Sequence, residues 1–111
     1  MESNIKLGCV VYTETEDEIY AEWVFRKDAE LERGTGRGIR LTELNQTQRF
    51  EGEFEITYTD TNGSTSPKLH LTISFESGTY HLTWKENGNT TDFGIGMVKD
   101  NMLLVSYTKA G

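Results

Sequence analysis

An all-β fold, an eight-stranded antiparallel up-and-down barrel, is the architecture this sequence predicts, and three observations predict it. Apolar and polar residues alternate along most of the chain, with almost no stretch where apolar residues recur at helical spacing. Dipeptides and short clusters suited to tight turns separate the alternating runs. Each run carries one apolar face, and eight such runs in sequence must close on themselves or stack in order to hide it. A two-sheet sandwich satisfies the same alternation and is the alternative.

The runs follow in order. Ile5 to Tyr12 and Ile19 to Arg26 form the first pair, and Gly36 to Leu41 the third strand. Phe50 to Tyr58 places Phe50, Gly52, Phe54, Ile56 and Tyr58 on one face and Glu51, Glu53, Glu55 and Thr57 on the other, so glutamates mark the wet side. Leu69 to Phe75 is the clearest strand, with Leu69, Leu71, Ile73 and Phe75 inward and His70, Thr72 and Ser74 outward. Tyr80 to Lys85, Thr91 to Met97 and Met102 to Thr108 complete the set. Lys27 to Arg33 carries Ala29 and Leu31 among charges and has room for a single helical turn.

Turn chemistry supports neighbour pairing. Asn87-Gly88 takes positive φ readily, and a four-residue connection, Glu76 to Thr79, pairs Phe75 with Tyr80. Lys99-Asp100-Asn101 reads as a three-residue hairpin with Asn101 left-handed, which sets Met97 against Leu103 and Ile95 against Val105. Asp60 to Pro67, with Asn62-Gly63 and the single proline, is a loop between two halves. Those halves echo each other. Ala21-Glu22-Trp23 before Gly34-Thr35-Gly36 resembles Leu82-Thr83-Trp84 before Gly94-Ile95-Gly96. Glycine weakens a strand, so the repeated pair implies rings lying over bare backbone, with Trp23 and Trp84 as the rings.

The eight short strands, the Trp-then-Gly-x-Gly pattern and the run from Phe93-Gly94-Ile95-Gly96-Met97 to Tyr107 resemble those of small bacterial proteins with a streptavidin-like or lipocalin-like barrel. That resemblance implies a binding module with a ligand at the barrel mouth. It carries no biotin pocket across, because no ordered set of inward polar residues matches one, and the lipocalin signature near the first strand is absent.

The 111 residues suffice for one core, so residues 1–111 read as a single domain. With 18 acidic against 11 basic residues the formal charge is -7, which disfavours nucleic acid and anionic lipid as partners. No apolar run reaches the length of a membrane span, the start has no signal-peptide pattern, and one cysteine makes no internal disulfide, so a cytoplasmic location is expected. Neither a cofactor nor a catalytic constellation is implied. His70 and His81 point outward from adjacent strands, opposite Lys85 and Ser74 respectively, too far apart to share a metal ion. Cys9 is read as a small core residue on a face with Ile5, Leu7 and Val11. Gly34-Thr35-Gly36-Arg37-Gly38 lacks the following helix of a phosphate-binding turn. Glu14, Glu16, Asp17 and Glu18 read as a solubilising loop, and Glu51, Glu53 and Glu55 as a stripe paired with Lys68 or Arg40.

The interior is then expected to hold Trp23, Phe25, Phe54, Tyr58, Ile73 and Phe75 with Tyr80, Leu82, Trp84, Phe93 and Ile95. Two functions follow. One is a small-molecule site, in which a hydrophobic or planar ligand stacks on Trp23 or Trp84 while Tyr58 or Tyr80 supplies a hydroxyl. The other is an interaction module with a filled core, a homodimer through an outer patch of Val10, Tyr12, Val24, Val98 and Leu104.

Overall fold

The computed structural model describes residues 5–43 and 48–110, and these form eight strands and no helix. They are β1 (Lys6–Glu14), β2 (Glu18–Lys27), β3 (Glu30–Arg40), β4 (Gly52–Asp60), β5 (Leu69–Glu76), β6 (Thr79–Glu86), β7 (Asn89–Lys99) and β8 (Met102–Lys109). Each pairs antiparallel with the next. β8 returns to β1, from Leu7 opposite Thr108 to Tyr12 opposite Leu103, and closes an up-and-down barrel. Closure leaves no sheet edge, so every strand has two hydrogen-bonding neighbours. No helix of the described residues is long and apolar enough to cross a membrane.

Tight turns account for the sequential pairing. Asp28, Ser77, Asn87 and Asp100 all have positive φ and each opens a two-residue hairpin connection. Primed turns need that conformation because it matches the twist of the flanking strands. Two sequence expectations change as a result. Lys27 to Arg33 is no helical turn: Lys27 pairs with Glu30, and β3 starts there, six residues before the expected Gly36. At the last hairpin Lys99 pairs with Met102, so the left-handed residue is Asp100 and the connection is one residue shorter than expected.

That single residue reverses the faces of β7. Gly96 now lies opposite Val105 and Gly94 opposite Tyr107, while Phe93, Ile95 and Met97 turn outward with 50, 58 and 69% of their surface exposed. Phe93 and Ile95 are therefore not interior residues. β1 differs in the same way: Val10 and Tyr12 are buried, and Cys9 is exposed with Leu7. A strand apolar on both faces gives alternation no direction, and the inner set is chosen by pairing, since Tyr12 lies opposite both Ala21 and Leu103. Of the other outer-patch residues, Val24 and Val98 are exposed and Leu104 is half-buried.

One end of the barrel is plugged. Between residues 44–47 and β4, Phe50 turns into the interior with φ 69° and no exposed surface. A left-handed phenylalanine stores about 1–3 kcal/mol of strain, so something must hold it. Its amide donates to Glu14 Oε2 (2.9 Å), and Glu14 Oε1 accepts from Arg40 Nη2 at 2.5 Å, with both side chains almost wholly buried. Arg40 also donates to the Glu51 carbonyl (2.9 Å) and lies over the Phe54 ring. Neither residue fills the surface role expected of it. Phe54, Ile56, Leu71, Ile73, Leu82 and Leu103 pack above the plug as the core.

The opposite end is looser. β4 and β5 share only the register from Gly52 opposite Ile73 to Ile56 opposite Leu69. Beyond it Ser66 substitutes for a strand partner, its Oγ accepting from the Tyr58 amide and its own amide donating to the Tyr58 carbonyl. Pro67 follows and has no amide proton to continue a ladder.

Removing Arg40 strands a buried carboxylate. Arg40→Leu is expected to lower unfolding stability by about 3–5 kcal/mol, measured by urea denaturation. Combining it with Glu14→Gln recovers a substantial part, because no uncompensated charge is then left inside.

Candidate functional site

At the loose end the inward rows of the strands stop filling the barrel and line a cavity of about 460 Å³. The mouth lies between the β4–β5 loop, through Ser64, Thr65 and Ser66, and the inward ends of β3 and β8 at Glu32 and Lys109. Its walls are rings. Trp23 and Phe25 come from β2, Tyr58 from β4, Trp84 from β6 and Tyr107 from β8. Small residues opposite make room for them. Trp23 lies over Gly34, where an added Cβ would meet the indole at 2.8 Å, and Tyr107 covers Gly8 so closely that a Cβ would fall within its ring. Phe25 stacks on Tyr107 with centroids 5.9 Å apart, and Trp84 tilts against Tyr107 at 5.7 Å.

The floor is a hydroxyl cluster. Trp84 Nε1 donates to Tyr58 Oη (2.7 Å), and the Tyr12 and Tyr58 hydroxyls are 2.6 Å apart. An indole donates only, whereas a phenol donates once and accepts twice. Three donor hydrogens therefore meet two hydrogen bonds. One phenolic O–H, on Tyr12 or Tyr58, has no acceptor within the cluster, and both residues line the cavity. Burial raises the pKa of both phenols above its usual value, with the charge on Tyr58 as the next cause for Tyr12. Tyr107 is raised too, first by burial and then by the negative charge of Asp92. All three are neutral donors at ordinary pH.

Asp92 is a second buried charge, apart from the Glu14–Arg40 pair at the plugged end, with 7% of its surface exposed. It faces inward opposite Trp84 and Lys109, and its Oδ2 lies 3.2 Å from Lys109 Nζ. That ammonium also sits 5.4 Å over the Phe25 ring.

Of the residues picked from the sequence, Trp23, Tyr58 and Trp84 line this cavity and Tyr80 does not. Tyr80 is two inward places further down β6, beyond Leu82, where its hydroxyl accepts from Gln48 Nε2 (2.6 Å) and donates to the Arg49 carbonyl (2.7 Å). It braces the plug, its ring edge against Phe50. Tyr12, Asp92 and Tyr107 were missed. A two-residue turn at Asp100-Asn101 would have brought Asp92 to the inner face, whereas Tyr107 follows Leu103 and Val105 on the face already expected to be inner. For Tyr12 no local signal decides the face.

The remaining candidates take structural places. His70 and His81 lie opposite Lys85 and Ser74, and His70 Nε2 contacts Glu53 Oε1 at 2.7 Å. Glu55 meets Lys68 at 3.6 Å, and Arg37, within the extended β3, pairs with Glu18. The Arg37 guanidinium, with the Tyr20 hydroxyl, lowers the Glu18 carboxyl to about 2. No group of three or more His, Cys, Asp or Glu among the described residues could hold a metal ion.

The chain matches no family model, no curated protein and no solved structure.

Alkaline titration tests the floor. For groups whose folded pKa is raised above the ordinary 10.0, the stability they contribute is present below pH 10.0 and is lost as pH rises above it. Phenolate absorbance from Tyr12, Tyr58 and Tyr107 is expected only together with loss of the β-sheet circular dichroism. Full titration of every tyrosine near pH 10.0 with the sheet intact would contradict the buried cluster.

Proposed function

We propose that this chain is a non-catalytic binding barrel whose open end takes a small hydrophobic or planar ligand. The observation that carries this is the cavity of about 460 Å³ between Trp23, Tyr58, Trp84 and Tyr107, within the size range of small-molecule sites. Flat rings on several sides suit a planar guest, and the surplus phenolic proton at the floor suits a guest with one acceptor atom. A ligand at the mouth is also what the sequence resemblance to streptavidin-like and lipocalin-like barrels implies.

A thermal-shift screen of small planar compounds tests the proposal, because a ligand that binds only the folded state raises the melting temperature in proportion to its concentration and affinity. Tyr58→Phe keeps the ring and removes the hydroxyl, and for a ligand with an acceptor it is expected to weaken binding about tenfold. Trp84→Ala is a poorer probe than Trp23→Ala, since Trp84 is buried in the core and Trp23 is half-buried. Failure of every planar compound to stabilise the protein would overturn the proposal.

A second reading, a homodimer, draws on the outer face of β7, where Phe93, Ile95 and Met97 stand in a row with Leu104 of β8 opposite Met97. Ile95→Glu would then lower the sedimentation coefficient from a dimer's to a monomer's. A wild-type chain sedimenting as a monomer across the micromolar range would exclude it.

A further inference from the structure

The cavity has a charge pattern as well as a shape. Asp92, Glu32 and Asp60 all occupy inward places at the mouth, and Lys109 is the single cation among the lining residues. Asp60 is committed to its own turn, its Oδ1 accepting from the amides of Asn62 and Ser64, both at 2.9 Å. Asp92 is different. A carboxylate this buried requires a positive or hydrogen-bonding partner, and its ion-pair partner is Lys109, which is half exposed on the last strand. The Lys109 ammonium therefore occupies a recess formed by one carboxylate and one aromatic face, at 3.2 Å from Asp92 and 5.4 Å over Phe25. This is the arrangement by which proteins hold organic cations: the ring quadrupole attracts the charge while the carboxylate neutralises it. The field of Asp92 reaches inward as well, acting after burial to raise both Tyr58 and Tyr107.

We propose that the ligand of this cavity is an organic cation, an arylalkylamine whose ring lies between Trp23 and Trp84 and whose ammonium takes the place of Lys109 Nζ between Asp92 and Phe25. The proposal rests on the reading of the cavity as a ligand site and names the chemistry of its occupant. Lys109 acts as a tethered competitor. Its long flexible stem lets the ammonium swing into water when a ligand arrives, so the carboxylate is never left unpaired. Anions are disfavoured by Asp92 together with Glu32 and Asp60, which stand across the mouth on β3 and β4. A neutral ring of the same shape gains the stacking and forgoes the charge.

Three probes of one shape separate these contributions: phenethylamine, propylbenzene and phenylpropionate, a cation, a neutral isostere and an anion. Each is titrated into the wild-type chain by calorimetry. Phenethylamine is expected to bind about tenfold or more tighter than propylbenzene, as a partly desolvated cation beside a ring and a carboxylate should, and phenylpropionate weakest of all. Lys109→Met, a change at a half-exposed residue, is expected to tighten phenethylamine severalfold by removing the competitor. Asp92→Asn is expected to abolish the preference for phenethylamine over propylbenzene. Propylbenzene or phenylpropionate binding as tightly as phenethylamine would overturn the cation proposal and leave the ligand site standing. No binding of any probe to wild type or to Lys109→Met would overturn both.

Discussion

The hydrogen bond from the Phe50 amide to Glu14, with Arg40 on the other carboxylate oxygen, decides which end of this barrel can be a site. An eight-stranded barrel has an interior just wide enough for side chains to fill it, so an empty space needs a reason. Here the strand faces alone do not supply enough bulk to close both ends. The connection before β4 adds Phe50, tucked inward in a conformation a phenylalanine adopts only under constraint, with Tyr80 and Arg49 locking it from the side and from above. With one end stopped, the interior divides into a packed lower part and an open upper part. The buried ion pair is worth little as net stability when compared with apolar residues. Its contribution is to specify where the loop goes.

A second constraint acts across the barrel. β3 and β7 present glycines inward at Gly34, Gly36, Gly38, Gly94 and Gly96, while β2, β4, β6 and β8 present large side chains. Each glycine-bearing strand admits rings from its neighbours that no side chain at those places would tolerate. The two halves use this differently. Trp23 pairs directly with Gly34 and covers it, whereas a bulge after Trp84 and a shorter hairpin bring Asp92, not a glycine, opposite the second tryptophan. The internal echo of the sequence is thus real in composition and offset in space. The offset is what introduces a carboxylate into an aromatic cavity.

Much of the fold was legible because alternation over Leu69 to Phe75 or Phe54 to Tyr58 has one physical explanation, a strand with one dry face. The failures share a cause. In β1 both Leu7-Cys9-Val11 and Gly8-Val10-Tyr12 could pass as an inner set, and in β7 Phe93-Ile95-Met97 looks far more like a core face than Asp92-Gly94-Gly96. Which face is inner depends on register, and register depends on one turn residue and one bulge. The plug was invisible for another reason. Glu14 and Arg40 are charged, and nothing local distinguishes a charge that will be buried 26 positions away from its partner from one that stays in water. Trp23, Tyr58 and Trp84 could be picked because each alternates in step with the buried apolar residues of its own strand, Ala21, Ile56 and Leu82. Asp92 could not be, since a lone aspartate near a turn is ordinarily exposed.

Asp92 is also the residue hardest to explain by folding alone. Its place on β7 lies opposite Trp84 and Lys109, where a valine or threonine would suit the strand and bury no charge. A sequence shaped only for stability would resolve that conflict with an apolar side chain and would draw the surrounding rings together over it. Instead the carboxylate is kept, its partner is a half-exposed lysine at the rim, and the floor beneath it holds one more donor proton than hydrogen bonds made within it. Local rules broken together in one place, within a fold that otherwise obeys them, are what a site under functional demand looks like. The three departures also agree in direction: each leaves a polar group facing the cavity with a partner that a ligand could replace or supply.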